Sequence, residues 1–197
     1  MNDTVKTDYR ARYEQLLTEF GDLEVNMQRQ QNLLHSLLNR VLFAVDKAYP
    51  ALAKTCQDLR EIMRQTGDEP LPIAKLQPGI EYLGEAIRGI EAGSLAPDRN
   101  ELMAEKDTAD QVDVRDFLPL LLERIAFTDA MEARRAKLLE ILHNPHDQTL
   151  NSILIDRAAS LINDMRRALE QEKSELTEFL QQLTDALSEI DQSTLAN

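Results

Sequence analysis

The chain of 197 residues has no tryptophan, one cysteine, three histidines and six glycines, and aromatic residues make up only 5% of it. Strand sandwiches and barrels draw on aromatic and β-branched residues between glycine-rich turns, so these shortages disfavour an all-β fold. With Cys56 alone, no intramolecular disulfide can form, which fits a reducing compartment, and a cytoplasmic location is expected. No stretch approaches the roughly 18 apolar residues that a membrane span needs. The longest apolar-rich run, Leu37 to Val45, is broken by Asn39 and Arg40 and followed by Asp46. The opening residues, Met1 to Tyr9, are polar and charged and form no apolar signal segment. Basic charge is also short: Lys and Arg number 22 against 35 Asp and Glu, a formal net charge of −13. That balance argues against nucleic acid or an anionic membrane as partner, since both want a basic face.

What is abundant is the material of helices. Leu, Ala, Glu, Gln and Arg dominate, all good helix formers, and hydrophobic residues make up 43% of the chain, enough for a core. The expected fold is all-α: a bundle of about five to seven helices, with a long C-terminal helix extending as a coiled coil. Tyr13, Leu16, Leu17, Phe20, Leu23 and Met27 recur at steps of three and four, which makes one apolar stripe. Gly21 weakens it and is a candidate bend. The polar run Met27 to Gln31 is either a solvated turn of one long helix or a break between two. Leu33, Leu34, Leu37, Leu38, Val41, Leu42 and Val45 then form a broad stripe, predicting a central helix.

Tyr49-Pro50 should end that helix, because a residue before proline avoids helical dihedrals. A helix follows over Ala51 to Gln65, with Gly67 as its cap. Asp68 to Gln77 reads as a loop, and Pro78 as the start of a short helix closed by Gly93. Ser94 to Asp113 reads as a long polar connection. Asp113 to Phe127 predicts one helix, Thr128 or Asp129 caps the next, and His143-Asn144-Pro145 ends that one.

The last segment is the most regular. Asp147 to Asp191 holds neither Gly nor Pro, and one helix of roughly 65 Å would fit it. Ile155, Ile162, Leu169, Leu176, Leu183 and Ile190 stand seven apart. Three residues after the first five stand Ala158, Met165, Glu172, Phe179 and Ala186. A period of 3.5 held over five heptads predicts a coiled-coil seam rather than a plain surface stripe, with Glu172 as its one charged position. The apolar face is broad up to Leu169 and narrows beyond Glu170. Residues 1–169 are therefore expected to form the bundle, and 170–197 to project and pair with a second copy. The seam candidates are Ile155, Ile162, Met165, Leu169, Leu176, Phe179, Leu183 and Ile190. The chain reads as if cut shortly after this projecting helix.

Constellations with chemistry are weak. His143 and His146 have a spacing that could serve one metal, but Pro145 breaks the helical face between them and no second cluster completes a site. Asp107, Asp110, Asp113 and Asp116 recur every third residue without the glycine turn and terminal Glu of a calcium loop. The glycines match no phosphate-cradling pattern. Cys56, on an apolar helical face, reads as a core residue. His35 lies in Leu33-Leu-His-Ser-Leu-Leu38 and is a candidate phosphoacceptor, although an edge-of-core histidine fits it better. No cofactor, metal or catalytic residue is expected.

The segment Leu169 to Asp191, together with Leu37-Leu-Asn-Arg-Val-Leu42, resembles the N-terminal helical region of a group of proteobacterial diguanylate cyclases, the GGDEF proteins. The resemblance spans about Leu33 to Asp191. The Gly-Gly-Asp-Glu-Phe signature itself is absent, so no catalytic residue carries over. The resemblance implies a regulatory, dimerising or localising module, a homodimer, of an enzyme that makes cyclic di-GMP from two GTP. Such an enzyme must bring two active sites face to face, and a bundle feeding a coiled coil could set that geometry. The alternatives are a helical adaptor that binds a protein partner, and a phosphotransfer protein using His35.

Overall fold

A computed structural model describes residues 2–66, 70–93, 114–143 and 152–195, with side chains for 10–66, 70–93, 117–143 and 153–185. Among these residues the protein is all-α, with five helices, one 3-10 turn and no strand. Helix α1 spans Asn2–Ala48, the 3-10 turn Pro50–Leu52, α2 Ala53–Thr66 and α3 Ile73–Glu91. Helix α4 spans Val114–Leu142 and α5 Ser152–Leu195.

The polar run after Met27 is part of one continuous helix. Gln and Arg are strong helix formers, and no Gly or Pro stands there to end it. Gly21 likewise lies within uninterrupted helix. Pro50 does end α1: Tyr49 sits at φ −133°, ψ 79°, outside the helical region. The N–H of Leu52 then donates to the Tyr49 carbonyl at 2.8 Å and closes the 3-10 turn.

Two boundaries differ from the sequence expectation. Helix α3 begins at Ile73, so Pro78 is its sixth residue rather than its opening one. Its first turn is closed by the N–H groups of Lys75 and Leu76, which donate to the Pro72 carbonyl at 2.8 and 3.1 Å. Burial of Leu71 and Leu76 holds this stretch against the core, and Pro78 removes just one backbone donor early in the helix. At the far end, Gly93 takes φ +70° and donates its N–H to the Ile90 carbonyl, closing the helix where the sequence expects its end.

The second difference is in α4, which runs unbroken through Thr128 and Asp129. Capping residues act as caps only where a helix must stop, and nothing between Leu120 and Leu142 forces a stop. Leu121, Ile125, Met131, Leu138 and Leu142 are all buried and hold both halves helical. The connection 94–113, Gly67, His146 and the aspartates at 107, 110 and 113 lie outside the described residues, as does the Asp116 side chain.

The described chain divides into two compact units, one from residues 1–31 with 127–175 and the other from 32–126 with 176–197. Helices α1, α4 and α5 each contribute residues to both. In the first unit α4 runs antiparallel to α1. Tyr13 donates to the Leu142 carbonyl at 2.5 Å, Glu24 pairs with Arg135 at 2.7 Å, and Gln31 donates to Glu132 at 2.9 Å. Its core joins Leu16, Leu23 and Met27 of α1, Met131 and Leu138 of α4, and Ile155, Ile162 and Met165 of α5.

In the second unit α1 is the central helix, as its broad stripe predicts. Leu34, Leu37, Leu38, Val41, Leu42, Ala44 and Val45 are buried around most of its circumference. Against them lie Cys56, Leu59 and Met63 of α2, Ile80, Leu83 and Ile87 of α3, Leu121 of α4, and Leu176 and Leu183 of α5. Each fully buried leucine contributes roughly 1.5–3 kcal/mol of transfer free energy. Between α2 and α3, Gly79 lets the backbone approach Leu59 closely.

On α5 the two units part between Glu175 and Leu176, within the stretch expected to project. Leu176, Phe179 and Leu183 are 1%, 5% and 1% exposed within the single chain. The 3.5-residue period marks a covered face, and within the chain Leu176, Phe179 and Leu183 join the core of the second unit.

Candidate functional site

Seven of the eight seam residues fall into two groups. Ile155, Ile162, Met165 and Leu169 lie in the core of the first unit. Leu176, Phe179 and Leu183 lie in the core of the second, where the Phe179 ring stacks on Phe117 at 5.2 Å between centroids and 7° between planes. Ile190 belongs to α5, but its side chain lies outside the described ones. The charged notch, Glu172, is 4% exposed and therefore as deep as its apolar neighbours.

Two further buried polar residues come from α1. Gln30 and Gln31 are 8% and 7% exposed, and with Glu172 they make up the buried polar residues among those described. The Gln30 amide donates to the Leu169 carbonyl, one turn before Glu172 on α5. The Gln31 amide donates to the Glu132 carboxylate of α4 at 2.9 Å. The Gln31 carbonyl oxygen is buried with no hydrogen-bond partner. An orphaned acceptor of that kind costs about 1–3 kcal/mol. In the sequence, Glu172 stood out against its heptad and the Met27–Gln31 run stood out as polar. That three helices carry these polar groups into one core required the fold.

The groups with potential chemistry are placed as follows. Cys56 is fully buried, and desolvation, with the nearby Asp46 carboxylate second, pushes its thiol up to about 11. A thiol held protonated at neutral pH is a poor nucleophile. Arg60 partly offsets this; it pairs with Asp46 and donates to the Cys56 carbonyl at 3.3 Å. His35 is half-buried on α1, with its Nδ1 3.2 Å from the Asn39 amide one turn further on. His143 is exposed in the turn after α4. On the surface of α2, hydrogen bonds from Arg64 and then Gln65 hold the Glu61 carboxyl at about 2. Among the described residues no group of three or more His, Cys, Asp and Glu could hold a metal ion. No described helix is long and apolar enough to cross a membrane.

The fold and these sites define an all-α protein in which three long helices are shared between two cores. No protein-family model, no curated protein and no solved structure matches the chain.

Proposed function

We propose that the chain is a non-catalytic regulatory module acting through helix position, of the kind its sequence resembles in diguanylate cyclases. The observation that carries this reading is the continuity of α1, α4 and α5, each of which serves both units without a break. An α-helix is stiff along its axis, so a shift imposed on one end is carried to the other. Packed cores accept such shifts in discrete steps rather than by gradual deformation. The resemblance supplies the output: a cyclase that condenses two GTP depends on how its two copies are aligned.

Self-association belongs to the same proposal; within the single chain the seam side chains from Ile155 to Leu183 are buried. Exposed apolar residues outside it include Val25 and Ile153 in the first unit and Phe43 and Tyr82 in the second.

The test is made on the native polypeptide, captured from its source cells with an antibody to this chain. The regulatory reading expects a product much larger than 22.4 kDa. Its conversion of GTP to cyclic di-GMP should change several-fold when residues 1–197 are removed. A large product with no GTP turnover, or with turnover unmoved by the removal, would refute the reading. A product of 22.4 kDa would leave the helical adaptor as the better account.

A further inference from the structure

Along each of the three shared helices the buried apolar stripe is interrupted. On α1 the buried series runs Leu23, Met27, then Gln30 and Gln31, and resumes at Leu34. On α5 it runs Met165, Leu169, then Glu172, and resumes at Leu176. On α4 no buried apolar residue lies between Met131 and Leu138, and Glu132, within that interval, receives the Gln31 amide. The interruptions coincide, because Gln30 is hydrogen-bonded to Leu169 and Gln31 to Glu132. All of Gln30, Gln31, Glu132, Leu169 and Glu172 belong to the first unit.

We propose that this polar layer is a yielding point built into the three-helix unit: the level at which its helices part and shift first. The physical grounds are three. Apolar burial, which dominates the cohesion of the core above this level, is replaced here by hydrogen bonds whose net worth is small, because water offers the same bonds when the layer opens. The Gln31 carbonyl gains a partner only on opening, so the closed layer carries an unmet acceptor that the open one does not. A buried carboxyl group such as Glu172 is solvated on opening, which again favours the open form relative to an apolar residue in the same place. Local opening in proteins follows such differences, since regions with little apolar burial open below the global unfolding free energy. The same polar groups also fix register. A shift of α1 or α5 by one turn would bury Gln30 or Glu172 among leucines, so the layer yields without letting the helices settle in a wrong alignment.

This inference does not depend on the regulatory reading, because its test measures the layer directly. Native-state hydrogen exchange on the full chain is expected to show the amides of residues 28–31, 130–133 and 170–174 exchanging at least tenfold faster than those of 16–23 and 158–165 in the same helices. In the combined variant Q30L, Q31L and E172L, that ratio should fall below about threefold. If the combined variant does not fold, Q31L alone, which removes the unpartnered carbonyl, should reduce the ratio measurably. Uniform protection along the wild-type helices would overturn the proposal. So would a layer that stays fast after its polar groups are made apolar.

Discussion

A methyl group added at Gly79 gives the sharpest test of the close contact between α2 and α3. A Cβ at this position would lie 2.6 Å from Leu59 Cδ2, 3.2 Å from Cγ and 3.3 Å from Cδ1. Leu59 is 3% exposed, and its core neighbours leave it little room to turn away. Two effects of opposite sign compete in Gly79→Ala. Alanine is the better helix former by about 1 kcal/mol. Overpacking a tight contact costs about 1–3 kcal/mol. The clash wins, and a net loss of roughly 0–2 kcal/mol is expected in urea unfolding. Two controls have the opposite sign: Gly21 and Gly84 are helical and have nothing within 4 Å of an added Cβ. Gly21→Ala and Gly84→Ala should therefore each stabilise by about 0.5–1 kcal/mol. A double-mutant cycle isolates the cause. In a Leu59→Ala background the obstructing atoms are gone, so Gly79→Ala should become neutral or stabilising there. The reasoning is refuted if Gly79→Ala stabilises the wild-type chain, or if its effect is the same in both backgrounds.

Three further outcomes follow from the cores. Leu176→Glu and Leu183→Glu each place a carboxylate at a 1% exposed position, so each should cost more than about 3 kcal/mol, read by urea titration of the helical circular dichroism signal. Intact stability with only self-association lost would restore the projecting seam that the sequence predicted. Phe179→Ala removes the ring stacked on Phe117 and should cost about 3–5 kcal/mol in the same assay; a loss below 1 kcal/mol would contradict its place in the core. The Cys56 thiol is raised by burial, so its contribution to stability is present below the ordinary thiol range and is lost as the pH rises towards 11. The wild type should lose stability across that alkaline window more steeply than Cys56→Ala, and a thiol reagent at pH 8 should label Cys56 only after denaturant is added.

The sequence by itself determined the fold class and most of the core. Apolar residues at steps of three and four on α1, and at seven-residue spacing on α5, fix which face of each helix must leave water, whatever covers it. Proline before a helix and glycine after one act through their own backbone dihedrals, so the ends at Tyr49 and Gly93 were legible too. Burial of Cys56 followed from its place on an apolar stripe.

What the tertiary structure alone decided is which faces meet. Whether Thr128 and Asp129 start a helix or sit inside one depends on Ile125 and Met131 both being buried, which no local signal states. The start of α3 at Ile73 depends on Leu71 and Leu76 reaching the core. The heptads of α5 read identically whether their partner is a second copy or α1 of the same chain, because a period records that a face is covered and not by what. Within the single chain Leu176, Phe179 and Leu183 are buried, and Arg40 of α1 bonds to Thr184 of α5. The polar layer has the same origin: Gln30, Gln31 and Glu172 are ordinary surface-type residues until three helices, distant in sequence, bring their hydrogen bonds into one core.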